Sequence, residues 1–285
     1  MSAPNILTDT TPIPDGSRPD HVKSVITDAW GLYFAQGGVV MAAALRAMAL
    51  VLARDDLTLA SASAVFCRPV ACGPVDTAVD VLRSGRRGAQ VHASLRDQTS
   101  EEGAVNVAVS AVFTDPALPG PRVTPLAQPL ELRDPPADDA RSEIPDNEFP
   151  LGFLDNTQWH VAAGPEVPAV VSDGSLPRLA LWFRFVEPPA ASGVEWHPAL
   201  LPIPGDALGS ALVVALGGGD SPVGSVSLQI DLQVLAPITG TWIGIDSTCT
   251  HIGGGLARGF VHLWSESGTH VATLTQTAML RSFDA

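Results

Sequence analysis

Phe66-Cys67-Arg68-Pro69 opens one stretch of this chain, and Val234-Leu235-Ala236-Pro237 opens another that reads like it. After the first come a Val-rich run, glycines at Gly85 and Gly88, a turn at Gly103 and an apolar strand closing at Phe113. After the second come an apolar run, Gly253-Gly254-Gly255, a turn at Gly268 and a strand closing at Leu280. From proline to last strand residue the two copies agree in length to within one residue. A candidate helix precedes each, Gly37 to Met48 and Asp206 to Leu216. Two such units in one chain predict a duplicated domain with a site between its copies.

Working outward, Val39 to Leu52 is rich in Ala, Met and Leu, the composition of a helix buried nearly all round. Gly37-Gly38 at its start would let a neighbouring backbone or a ligand come close. Strands are predicted at Leu57 to Arg68, Val75 to Arg83, Gln90 to Gln98 and Val105 to Phe113, the last from its period of two. The second half repeats the pattern. Strands fall at Gln158 to Ala162 and Leu179 to Val186, then a helix at Ala207 to Leu216. Further strands run from Ser225 to Leu235, Gly240 to Thr248, Ala257 to Ser265 and Val271 to Arg281. Regular strand–helix alternation is missing, which excludes a doubly wound α/β fold and predicts α+β halves, each a curved antiparallel sheet on one helix. Thr114 to Pro150 carries nine prolines and predicts an extended surface linker with neither helix nor sheet. The expected divisions are therefore residues 1–115, a linker at 116–150, and 151–285.

Composition narrows the function. The chain has 285 residues, 46% of them hydrophobic, and a net charge of −14 with Lys23 as its single lysine. An acidic surface repels phosphate backbones, so nucleic acid is not an expected partner. No apolar run is long enough to span a bilayer, and Met1 to Pro19 lacks the basic start and apolar run of a secretory signal. No membrane partner and a cytoplasmic location are expected. Arg83, Arg86 and Arg87 form the one dense cationic group, read first as a solvated hairpin turn. Cys67, Cys72 and Cys249 make neither a disulfide framework nor a zinc set, so no metal is expected and the thiols read as small buried side chains.

Common catalytic motifs are missing: no G-x-S-x-G elbow, no P-loop and no H-E-x-x-H. Gly217-Gly218-Gly219 and Gly253-Gly254-Gly255 lack the strand–turn–helix context of a dinucleotide site and read as turns. His251 and His262 have no carboxylate at useful spacing. Three polar residues stand out. Asp206 precedes an apolar helix, where its plain role is an N-cap. Ser227 lies among Val226, Leu228 and Ile230. Gln276 alternates onto the face of Leu274, Ala278 and Leu280, where an amide needs a partner or costs roughly 1–3 kcal/mol.

The run Ser227 to Asp231 ending at Pro237, then Ala257-Arg258-Gly259-Phe260-Val261, Gly268, and Val271 to Gln276 through Met279 and Arg281, resembles the acyl-CoA thioesterase II family. The N-terminal half is similar more loosely, through Gly37-Gly38 and Phe66-x-x-Pro69. The resemblance implies a double-hotdog fold and hydrolysis of a fatty acyl-CoA, in lipid metabolism, without cofactor. It implies Asp206 as the general base, with Ser227 and Gln276 holding a water, and helix N–H groups receiving the oxyanion. It also implies pairing of chains into a homodimer or higher homo-oligomer. The family's Asp-His after the hydroxyl position is replaced here by Gln229 and Ile230. Two rival readings are a non-catalytic acyl-CoA or acyl-chain binding protein and an enoyl-CoA hydratase, which would need a histidine beside Asp206. The two halves are expected to be unequal. Ser227 falls opposite Leu59 and Gln276 opposite Val109, so one catalytic site per chain is expected.

Overall fold

In the computed structural model the described residues are 3–101, 103–121, 123, 126–137, 140, 151–162, 177–191, 193–216 and 223–282. Alternating apolar residues build twelve strands among them. They are β1 (Ile13–Asp15), β2 (Arg18–Ile26), β3 (Thr58–Phe66), β4 (Gly73–Gly85), β5 (Gly88–Asp97), β6 (Val107–Thr114), β7 (Thr157–Val161), β8 (Arg178–Phe185), β9 (Val223–Val234), β10 (Ile243–Gly253), β11 (Leu256–Ser265) and β12 (His270–Ser282). All pair antiparallel in one sheet of order β1-β2-β4-β5-β6-β3-β9-β12-β11-β10-β8-β7. The first half supplies one side and the second half the other. They join where β3 pairs β9, with Ala62 opposite Leu232 and Ala64 opposite Ile230. The two strand sets predicted from sequence are thus edge-joined into a continuous sheet, which leaves no open edge at the seam.

The first helix, Gly37–Leu52, is buried along most of its length, with Val39, Met41, Ala42, Ala43, Ala44 and Ala47 fully covered. It packs on β2, β4, β5 and β6. Small side chains let the sheet approach closely, and burying them supplies roughly 25 cal/mol per Å² of apolar surface. The second helix, Leu208–Ala215, packs on β8, β10 and β11. It is preceded by a helical turn at Pro202–Gly205. One apolar cluster runs from Met41 and Val109 through Ile230 to Leu274 and Phe183, so the halves share a core.

Both halves carry the same irregularity. In β3, Ala60 is an extra residue between Leu59, opposite Phe113, and Ser61, opposite Val112. In β9, Leu228 is an extra residue between Ser227, opposite Ala278, and Gln229, opposite Thr277. Aligning Pro69 on Pro237 superposes these two bulges. The same register pairs Gln276 with Ile230 and Ala111 with Ala62. Ala111 therefore occupies the counterpart of Gln276, a correction to the Val109 expected from sequence. The strand ends Phe113 and Leu280 are not equivalent, because Phe113 matches Ala278.

The predicted linker also departs from a wholly extended form. Leu130–Leu132 is a short 3₁₀ turn, and Leu132 is fully buried among Ala162, Trp182, Trp242 and Trp264. Gly244 leaves the slot that Leu132 fills: a Cβ there would sit 3.3 Å from the leucine's Cδ1. Arg178 anchors the same turn through Glu131 at 3.3 Å. This segment packs on the sheet of the second half. The hairpin reading of the arginines fits: β4 and β5 are joined by a turn at Arg86-Arg87. Cys249 is buried, whereas Cys67 is exposed on a loop, contrary to the reading of the thiols as buried. Glycines 217–219 and part of the predicted linker lie outside the described residues. Among the described residues no helix is long and apolar enough to cross a membrane.

Candidate active site

Asp206, Ser227 and Gln276 come from three separate elements and meet. Gln276 sits in β12 on the core face beside Leu274 and Ala278, as its alternation predicts, and is 6% exposed. Its Nε2 donates to Asp206 Oδ1 at 2.6 Å and to Ser227 Oγ at 2.7 Å. Its Oε1 accepts from the backbone N–H of Leu208 at 3.2 Å. The buried amide thus satisfies both ends and avoids the desolvation cost.

Ser227 reaches the site through the β9 bulge. Strict alternation would place it with Gln229 and Asp231, whose side chains bond to each other away from the core. The extra residue Leu228 shifts the pleat, so Ser227 turns onto the face of Ile230, Ala278 and Gln276. Its hydroxyl donates to Asp206 Oδ1 at 2.9 Å.

Asp206 is not the N-cap of the second helix. It ends the turn Pro202–Gly205, its own N–H donating to the Pro202 carbonyl at 2.8 Å. Its carboxylate points across the seam between the halves. Oδ2 accepts from the Gly38 N–H at 3.2 Å and from Gln36 Nε2 at 3.1 Å, both at the start of the first helix. Gly37 and Gly38 make this approach possible. A Cβ on Gly37 would lie 2.7 Å from Asp206 Oδ2, and one on Gly38 would collide with the Pro202 carbonyl. The sequence reading expected Gly37-Gly38 to admit a neighbour; the neighbour is this turn.

Electrostatically the carboxylate is held between two opposed effects. Burial pushes its pKa up from the ordinary value, and donors from Ser227, Gln276 and Gly38 pull it down; burial prevails. A carboxylate has about four lone-pair sites, and Ser227, Gln276, Gly38 and Gln36 supply four donors. Three of these donors are anchored elsewhere: Gln276 by Leu208, Gly38 by its backbone, Gln36 by Val39. The Ser227 oxygen is held by Gln276, but its hydroxyl proton can rotate about the C–O bond, so it is the donor that can yield to an incoming water. The helix amides expected for an oxyanion are in part engaged, Gly38 by Asp206, Val39 by Gln36 and Leu208 by Gln276. Gln36 is not among the residues that sequence reading singles out, since its partner Asp206 lies in the other half. His262 bonds to Thr273 and packs against His270, and His251 is exposed; neither is a partner of Asp206. Among the described residues no cluster of His, Cys, Asp and Glu could hold a metal ion.

Residues 26–114 match the model of the acyl-CoA thioesterase N-terminal domain, and residues 129–280 match that of the acyl-CoA thioesterase C-terminal domain. The chain belongs to the acyl-CoA thioesterase family. It is a thioester hydrolase. Solved structures agree on a hotdog fold. A hot dog fold protein from Alicyclobacillus acidocaldarius is 16% identical with a TM-score of 0.75, covering 99% of each chain. A tesB protein from Mycobacterium avium subs paratuberculosis is 17% identical, TM-score 0.73, covering 97% of this chain and 98% of that one. The acyl-CoA thioesterase II TesB2 from Mycobacterium marinum is 16% identical, TM-score 0.72, covering 97% of each. A search of curated proteins finds no match. The C-terminal match begins at 129, so the Leu132 turn falls within it.

Proposed function

We propose that this thioesterase hydrolyses a fatty acyl-CoA to free acid and CoA, with Asp206 as general base and Ser227 and Gln276 positioning the attacking water. The observation that carries the reading is the closed triangle of hydrogen bonds among these three side chains, assembled from a turn, a bulge and a buried strand position. When water enters, Ser227 gives up its bond to Asp206 and the water donates to Oδ1 in its place. Asp206 takes that proton as the water oxygen bonds to the thioester carbonyl carbon. The tetrahedral oxyanion collapses, the C–S bond breaks, and the CoA thiolate recovers the proton from Asp206. The positive N-terminal end of the first helix, aimed at this site, favours the developing negative charge. A base whose pKa is raised by burial is better matched to neutral pH.

The same reading takes the fold as a double hotdog, with residues 1–115 as a non-catalytic unit, 116–150 as linker and 151–285 as the unit bearing the catalytic side chains. It places the protein in cytoplasmic lipid metabolism and pairs chains into a homodimer or higher. The direct test is release of free thiol across a panel of acyl-CoA chain lengths, with light scattering for assembly. No thiol release on any chain length would sink the hydrolysis reading; monomer alone at micromolar concentration would sink the pairing.

A further inference from the structure

Gln36 uses both ends of its side-chain amide. Its Oε1 accepts from the Val39 N–H at 2.8 Å, which caps the first helix. Its Nε2 donates to Asp206 Oδ2 at 3.1 Å and lies 3.5 Å from the Ile203 carbonyl. The residue is 5% exposed. Capping alone needs one oxygen, which Ser, Asp or Asn supplies from a shorter side chain. Burying a long amide here also costs side-chain entropy. The extra length reaches across the seam, to the Asp206 carboxylate at 3.1 Å and more distantly to the Ile203 carbonyl at 3.5 Å.

We propose that Gln36 is a positioning residue for hydrolysis: from the first half it fixes Asp206 of the second half and holds its carboxylate in the charged form. The proposal rests on the reading of Asp206 as base. The geometry divides the carboxylate cleanly. Oδ1 is held by Ser227 and Gln276 from the second half, and Oδ2 by Gly38 and Gln36 from the first. Without the Gln36 amide, Oδ2 keeps a single donor and the carboxylate can swing away from the water. The surroundings leave Gln36 room to act on proton affinity as well. The start of the first helix, the turn Pro202–Gly205 and the second helix carry no titratable side chain beside Asp206. On β9 the nearest charge, Asp231, bonds to Gln229 and Thr275 on the opposite face, and β12 presents Gln276. Burial and neutral donors thus set this group's charge, and each donor removed favours the protonated form.

The test uses the full chain. Gln36→Ser keeps a capping oxygen but cannot reach Asp206. Gln36→Glu keeps the cap and the length but replaces the donor with a carboxylate. Expected for Gln36→Ser is a fall in kcat of about 10-fold with KM within about twofold, and an acid limb of the pH–rate profile moved to higher pH. Gln36→Glu should lose more at neutral pH. Carbon-13 NMR titration of Asp206, assigned by its loss in Asp206→Asn, should show a higher pKa in Gln36→Ser. Wild-type kcat and an unmoved acid limb in Gln36→Ser would reduce Gln36 to a helix cap. An Asp206 titration unchanged by Gln36→Ser would overturn the proposal independently of activity. If Asp206→Asn hydrolyses acyl-CoA at the wild-type rate, the base assignment falls and takes the positioning role with it.

Discussion

The two halves share a bulge and differ in what they hang on it. In the second half the residue before the bulge is Ser227, opposite Ala278, and the amide of Gln276 on that same strand donates to its hydroxyl. In the first half the same places hold Leu59, 3% exposed, and Ala111, also 3%. One version is a polar pocket around a carboxylate; the other is ordinary core. The bulge is therefore a property of the sheet, and the polarity of the pocket depends on the side chains beside it. Where a helix begins, the halves differ again. Asp206 precedes the second helix and Gln36 the first, and the two face each other as acceptor and donor. The first half has apolar side chains in these places and reaches the carboxylate of the second half through Gln36.

Breaking that inequality should show the largest effect at Asp206. Asp206→Asn keeps the shape and removes the proposed base, and kcat should fall by about 10²-fold or more. The measurement is steady-state thiol release at saturating substrate; near-wild-type turnover would end the distinction between the halves. Gln276→Ala makes the second half resemble the first at Ala111. It removes one of the two donors on Asp206 Oδ1 and leaves the Leu208 N–H without its acceptor, so kcat should drop about 10- to 100-fold, with a stability loss of about 1–3 kcal/mol. Denaturant titration separates the two effects.

The pH profile sharpens the comparison further. The Asp206 pKa lies above the ordinary carboxylate value because burial outweighs its donors. A general base works only when ionised, so with Asp206 in the proposed role kcat/KM should fall about tenfold per pH unit below that pKa. Stability has the opposite sign. A carboxyl with a raised folded pKa binds its proton more tightly in the native state, so its contribution is present below the unfolded pKa and lost as pH rises through the folded one. An acid limb at the pKa of a free aspartate would contradict the burial. The smallest change is expected from Leu59→Ser. It places a hydroxyl at the counterpart of Ser227, yet no carboxylate stands opposite. Turnover should stay at the wild-type level while stability falls by roughly 2–4 kcal/mol, as for other large-to-small changes in a core. A second equivalent of bound acyl-CoA analogue per chain would mean that the halves are closer to equal than their side chains suggest.

Much of this was legible in the sequence. Alternation in Val107–Thr114 and in His270–Ser282 located both strands and put Gln276 on the core face, because a period of two carries facing information directly. Ser227 was harder. Its facing depends on one unpaired residue, Leu228, which leaves no mark in the pattern of polar and apolar residues. Gln36 was invisible for another reason: its partner lies in the other half, and a single sequence does not pair helix starts. The linker misled through its prolines. They do forbid long elements, but Leu132 needs only one turn to drop between tryptophans.

The seam between β3 and β9 has a consequence for how such a molecule behaves and changes. A site split between two separate chains comes apart when those chains are diluted. Here Gln36 and Asp206 lie on one polypeptide, so their effective concentration is fixed by the covalent connection, whatever the amount of protein. A symmetric pair of identical chains must also accept every substitution twice, once on each side of its axis. Joined copies are free of that constraint. Leu59 can be greasy while Ser227 is polar, and a harmful change in one copy need not be matched in the other.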